Sequence, residues 1–334
     1  MRRLDSLNAQ RTRGIVLPPG GKCPAYVWAL RTRCPETGPR TIDNPMRTVR
    51  ALCVEQIVAA MAAQKRTNNS DIEVHDMRTE IQRARAMLRL LRPCLGNRAY
   101  HKENLALRDI ARMLTPVRDA KMLVQSFSEY GRDDDKGTVR EFRRMVVRKL
   151  TSEWRACQRQ RRPSAVAALR KVRDRLECFS AAHWNRKSVG TGVTCAYKRG
   201  RNDFRRVLKN PTDGNLHEWR KQVKYFVYQL EALTSERGYF AGEHGRSSQL
   251  AECLGEDHDL AVLQQKVVQL VKSLTPACLV GAREVWSHRL SRRRAYLQKR
   301  ALRLAEQIYA QKPVRFGERL EKALFDQQID RDAA

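Results

Sequence analysis

From residue 46 to about residue 309, apolar side chains return every three or four positions, the spacing that gathers them on one side of a helix. Two-residue alternation of the β type is nearly absent. The pattern predicts an all-α chain, with helices over 46–64, 71–91, 105–114, 116–130 and 139–160 in its first half. Pro93, Gly96, Gly131 and Gly137 supply the breaks between them. Further helices are predicted over 164–181, 194–208, 213–233, 246–254, 257–274 and 276–309. Residues 1–45 read differently. Pro18, Pro19, Gly20, Gly21, Pro24, Pro35, Gly38 and Pro39 punctuate a stretch with no sustained apolar period, which is expected to be a basic, loosely ordered extension.

The helical region also repeats itself. SDIEVHDMRTEIQRARAMLRLL, starting at Ser70, aligns with TDGNLHEWRKQVKYFVYQLEAL, starting at Thr212. His75 then falls on His217 and Arg78 on Arg220, each pair 142 positions apart. ARMLTPVRDAKML from Ala111 aligns with AECLGEDHDLAVL from Ala251, which sets Arg118 against His258 and Asp119 against Asp259, 140 positions apart. Two blocks at nearly one offset predict an internally duplicated pair of helical bundles. The first repeat is placed at about 46–162 and the second at about 163–315, with 316–334 as a C-terminal tail.

Plotted at about 100° per residue, the first of these helices separates into faces. Met77, Ile81, Ala84, Leu88 and Leu91 form the apolar arc, and His75, Arg78, Gln82, Arg85 and Arg89 form a second arc about a quarter turn away. In the later copy Trp219, Val223, Phe226, Leu230 and Leu233 are apolar, while His217, Arg220 and Lys224 take the positions of His75, Arg78 and Gln82. Val227 and Glu231 replace Arg85 and Arg89, so the basic stripe is long in one copy and short in the other. Ser70-Asp71 and Thr212-Asp213 are matching helix-start signals, which puts each histidine about one turn into its helix, near the positive end of the dipole.

Charge changes the picture most. Sixty-six Lys and Arg against 36 Asp and Glu leave a net charge of +30, and such self-repulsion calls for an anionic partner. Nucleic acid, anionic lipid, acidic protein and polyphosphate all satisfy the sign. Basic side chains beside an apolar face often only cover its edge with their stems. Here the same His–Arg order recurs at the same angle in both copies, and two facing rows of cations repel unless an anion lies between them. Guanidinium forks suit phosphate in a bidentate way. Thr115-Pro116 starts another helix, in whose first turn Asp119 either stabilises the helix end or holds a neighbouring arginine. Arg118 and His258 are the better candidates for ligand contact in that block. Of the many cations on the helix before His217, Arg199 and Arg201 are selected.

Other chemistries fit less well. The nine cysteines are scattered without a CxxC pair, so no zinc site or disulfide framework is expected and a reducing compartment fits. No apolar run approaches the ~18 residues of a membrane span. Arg2 and Arg3 are followed by no apolar stretch of a secretory signal. Aromatic residues make up only 7% and do not interleave with the basic stripe, which weakens a nucleic-acid reading. A metal-dependent phosphohydrolase built on His75, His217, His258, Asp76, Asp119 and Asp259 lacks ligand spacing such as HEXXH, and its cationic surroundings would repel a divalent ion.

VHDMRTEIQRARAMLRLLRP, LTPVRDAKMLVQSF, YKRGRNDFRRVLKNPTDGNLHEWRKQVKYFVYQLEAL and LGEDHDLAVL, in this order, resemble the CHAD family of histidine-containing α-helical domains. The stretch RRRAYLQKRALRLAEQIYAQKP resembles the family's C-terminal end, so the likeness runs from about Met46 to Pro313. The resemblance implies four-helix-type bundles in a pseudo-twofold arrangement around a basic central channel that binds inorganic polyphosphate without catalysis. By position, His75 and His217 match the family's naming histidines, and Arg78, Arg220 and Lys224 the basic residues that follow them. Arg118 and His258 match the later block. With the neighbouring stripe residues, the expected polyphosphate contacts are His75, Arg78, Arg85, Arg89, Arg118, Arg199, Arg201, His217, Arg220, Lys221, Lys224 and His258. Gln82, Tyr225 and Val227 stand where relatives often carry Arg or Lys. No ExExK signature of the CYTH-type triphosphatase domain fused to some relatives is found, so a stand-alone CHAD protein is expected. Neither metal nor cofactor is implied. The expected setting is the cytoplasm, at polyphosphate granules, with no membrane insertion.

Overall fold

The computed structural model describes residues 45–63, 70–129, 137–158, 163–179, 186–233, 240–274 and 280–332. The described residues form ten helices and no strand: α1 (Pro45–Ala63), α2 (Ser70–Met113), α3 (Thr115–Glu129), α4 (Gly137–Gln158), α5 (Pro163–Glu177), α6 (Arg186–Lys209), α7 (Asp213–Leu233), α8 (Ala241–Leu274), α9 (Val280–Ile308) and α10 (Pro313–Asp332). The all-α expectation holds. The basic extension expected at residues 1–45 lies outside the described residues except for Pro45.

Several boundaries differ from the sequence reading, each for a physical reason. Residues 92–104, read as a break, belong to α2. Pro93 sits within that helix, and the chain turns at Gly96, whose φ of 73° and ψ of 162° are open to glycine and strained for other residues. Helix resumes at once because Tyr100, Leu107 and Ile110 are buried beyond the kink. The predicted helices 246–254 and 257–274 are one, since a single interior glycine such as Gly255 costs only about 1 kcal/mol. α6 begins eight residues before the predicted start, held by buried Val189 and Val193. Residues 316–332, read as a tail, lie in α10, and Phe316 and Leu320 are fully buried.

The repeat predicts one core for each half, but the apolar residues divide otherwise. A large cluster draws on α1, α2, α5, α6, α7 and α10, with the N-terminal part of α8 and the C-terminal part of α9. A smaller one joins Met122, Leu123 and Phe127 of α3 and Phe142, Val146 and Leu150 of α4 to Leu260, Leu263 and Val267 of α8 and Trp286 and Leu290 of α9. At its centre the Phe127 and Trp286 rings stack 4.3 Å apart. The smaller core is thus shared between early and late parts of the chain. Helices bearing matched motifs also touch: α2 packs on α7, and α3 on α8.

Polar contacts lock the large cluster. Glu103 of α2 is buried and receives both nitrogens of the Arg175 fork from α5 at 2.7 Å. The buried Gln229 of α7 donates to the Ala86 carbonyl of α2 at 3.1 Å. Tyr197 of α6 stacks flat on Phe316 of α10 at 4.2 Å, and its hydroxyl donates to the carbonyls of Ile308 and Gln311.

The buried Phe316 ring makes α10 part of the core. Phe316→Ala should lower unfolding free energy by about 3–5 kcal/mol. Urea titration followed by circular dichroism checks this, and a loss below about 1 kcal/mol would show that α10 is not docked.

Candidate functional site

The seam between the two apolar clusters is polar. On α8, Leu254 belongs to the large cluster and Leu260 to the small one; on α3, Val117 and Met122 stand on either side of the same divide. Between them, Arg118 and Lys121 of α3 and His258 and Asp259 of α8 lie beside the N-terminal turns of α2 and α7. Helix geometry determines what these turns present. Thr212 caps α7, its hydroxyl accepting the Asn215 amide at 3.2 Å, and places His217 one turn in.

Arg118 is the hinge of the cluster. Its Nη1 donates to Asp119 at 3.1 Å and its Nη2 to both carboxylate oxygens of Asp259 at 3.2 Å, joining α3 to α8. Burial opposes its charge, but Asp259 and Asp119 overcome that and keep the guanidinium protonated. Arg78 donates through Nη1 to the Ala111 carbonyl at 2.5 Å and to the Thr115 hydroxyl at 2.6 Å. It therefore covers the carbonyl end of α2 where α3 begins. Burial, then the nearby Arg118, pulls its pKa down to about 10.

Arg220 and Lys224, one turn apart on α7, are buried in the same place. Burial lowers the pKa of both; Arg118 lowers both further, and Arg220 also acts on Lys224. Gly255 of α8 lies beside them, its Cβ position 4.0 Å from Arg220 Nε. Arg220 Nε and His217 Nδ1 are buried without a hydrogen-bond partner.

Three histidines complete the cluster. The His217 and His258 rings lie 4.6 Å apart. Burial first, then Arg118, Lys224, Lys121 and Arg78, pushes His75 down to about 4. Burial and then Arg220 push His258 down to about 3, and burial with Lys221 and Arg220 lowers His217. Near neutral pH, His75 and His258 are neutral donors in a field of fixed positive charge. Arg78 of α2, Arg118 and Lys121 of α3, and Arg220 and Lys224 of α7 gather here with Asp119 and Asp259 among them, which makes the place strongly cationic.

The structure thus gathers seven of the residues selected from sequence: His75, Arg78, Arg118, His217, Arg220, Lys224 and His258. Lys221 stands at the rim and pairs with Glu218 at 2.6 Å. Arg85 and Arg89 are elsewhere along α2. Arg85 donates to Asn104 at 3.1 Å, and Arg89 donates to Tyr100 at 2.9 Å and lies 3.8 Å over the Tyr225 ring. Tyr225, one of the departures from the family pattern, is what engages them. Arg201 of α6 donates to the Tyr309 carbonyl at 3.1 Å, and Arg199 is exposed near Asp203. Lys121 was not selected, although its spacing of three from Arg118 puts the two on one helix face.

Among the described residues no three His, Cys, Asp or Glu side chains are grouped to hold a metal ion, and no helix is long and apolar enough to cross a membrane. A cavity of about 460 Å³ beside Val268, Arg283 and His288, between α8 and α9, lies away from the cluster.

Comparison with known proteins agrees with this geometry. The family model described as the CHAD domain matches residues 49–268. The crystal structure of the CHAD domain from the plant Ricinus communis is similar with a TM-score of 0.52, covering 83% of this chain and 91% of that one at 15% identity. At that identity the likeness is one of fold. No curated protein matches the chain.

The histidines make stability pH-dependent. His75 and His258 bind protons less readily when folded than at their ordinary value of 6.5. The unfolded chain therefore takes up more protons between about pH 4 and 6.5, so stability is full above that window and falls as pH drops through it. Melting temperature measured from pH 7.5 to 4.5 should decline, and His75→Gln/His258→Gln should flatten the decline. An equal slope in the variant would remove the histidines as its cause.

Proposed function

The chain belongs to the CHAD domain family, and on that premise we propose that it binds inorganic polyphosphate at the seam cluster without transforming it. The observation that carries the reading is the gathering of partly buried cations from α2, α3 and α7 around His75, His217 and His258. A row of phosphates supplies anionic oxygens for forked donors, and the orphaned Arg220 Nε and His217 Nδ1 gain partners. Binding releases the counterions that otherwise attend both surfaces.

His75, Arg78, Arg118, His217, Arg220, Lys224 and His258 are the contacts proposed at the centre, with Lys221 at the rim. A longer chain leaving the seam along α2 would next meet Arg85 and Arg89, which first have to leave Asn104, Tyr100 and Tyr225. Arg199 and Arg201 serve only a chain that continues onto α6. The proposed setting is the cytoplasm, at polyphosphate granules. Other polyanions, nucleic acid included, share the charge but not the fit to closely spaced phosphates.

Calorimetry with long-chain polyphosphate tests the reading. Affinity should rise with chain length and fall about 50-fold between roughly 50 and 200 mM salt if about four phosphates are neutralised. His75→Ala/Arg78→Ala/Arg220→Ala should lose most of the binding while remaining folded. Equal affinity for short and long chains, or displacement of polyphosphate by DNA at lower phosphate concentration, would count against it.

A further inference from the structure

A second polar network lies behind the cluster, and its centre is a residue of α9. Arg294 donates through Nε to Asp257 of α8 at 3.0 Å and through Nη2 to Asp213, the first residue of α7. Its remaining nitrogen reaches Gln264 at 3.4 Å. Gln298, one turn on, donates to the same Asp257 oxygen at 3.0 Å. Asp257 is 2% exposed, so its carboxylate depends on these donors.

The two carboxylates stand where they matter. Asp213 precedes His217 by four positions, one turn along the same face of α7. Asp257 is next to His258. One guanidinium from α9 therefore ties the turn that carries His217 to the turn that carries His258, and the two rings meet 4.6 Å apart. The neighbouring Arg293 makes a contrast. It grips Glu256 with both Nε and Nη2 at 2.7 and 2.9 Å, linking α9 to α8. Simple attachment of α8 to α9 is already provided, and the bond to Asp213 adds a third helix.

We propose that Arg294 is a positioning residue, setting the spacing of His217 and His258 so that both rings face one ligand. Its service to anion binding rests on the polyphosphate reading above; its effect on the ring pair does not. Outer partners that orient first-contact side chains commonly change affinity by about 10–100-fold when removed.

Histidine titration by NMR on the ligand-free full chain separates the possibilities. Facing His217 are Lys221, Arg220 and Glu218 of its own helix, Asp119 of α3 and His258 of α8; facing His258 are Arg220, Asp259, His217 and Arg118. Asp213→Ala removes the acceptor of the tie at a half-exposed position and leaves Arg294 on Asp257. Loss of a negative charge alone would lower the His217 pKa, whereas release of the ring toward water raises it. The expected result is an upward shift of about half a pH unit or more at His217. With it, polyphosphate affinity should fall about tenfold at unchanged melting temperature. Arg294→Met should shift both His217 and His258, and Arg293→Met should shift neither. If Arg294→Met fails to fold, Asp213→Ala decides alone. An unmoved or lowered His217 titration in Asp213→Ala overturns the positioning role even if polyphosphate binds the wild type. A raised titration in a protein that binds no polyphosphate upholds the positioning role and overturns the polyphosphate reading instead.

Discussion

The structure depends on how like charges are brought together where apolar packing is interrupted. Two hydrophobic clusters meet along a seam, and five cations point into it from α2, α3 and α7. Without compensation they would drive those helices apart, because Coulomb repulsion grows as water is excluded. Arg118 makes the arrangement possible: Asp119 on its own helix and Asp259 on α8 hold it from two sides. That bridge joins an early helix to a late one at the point where a ligand would otherwise be needed for cohesion.

Histidine is suited to such a place. A further lysine or arginine would add fixed repulsion, and an apolar side chain would contribute no donor. A neutral imidazole donates a hydrogen bond without charge. Burial keeps it neutral, and the surrounding guanidinium and ammonium groups add to that effect. Farther along α2, Tyr225 provides a ring against which Arg89 lies, and Asn104 accepts from both Arg85 and Arg89. Those cations are accommodated by the protein itself.

Much of this was legible in the residue pattern. Helix period, duplicated motifs and the His–Arg order led to the all-α fold and to seven residues that meet at the seam. Spacing along one helix says which side chains share a face, but not which neighbour covers that face. Arg85 and Arg89 share the arc of His75 and Arg78, yet Tyr225 meets them instead of open space. The assignment of cores failed for a related reason: periodicity identifies an apolar face without identifying its partner, so the union of α3 and α4 with α8 and α9 was invisible. Gly96 does interrupt the helix, as its residue type suggests, but Pro93 misled because burial on either side carries the helix through it. Lys121 was a local signal overlooked, and Arg294 one that only its reach from α9 to both α7 and α8 could reveal.

The shared smaller core has a consequence for how the chain comes to be folded during synthesis. When α3 and α4 leave the ribosome, Phe127, Phe142, Val146 and Leu150 have no Trp286 or Leu263 to close over them, because more than a hundred residues remain to be translated. At roughly 5–20 residues per second, that apolar hairpin waits several seconds for its other half. The nascent chain thus carries an unsealed hydrophobic face through much of its own production. The cell must shield that face until α9 emerges.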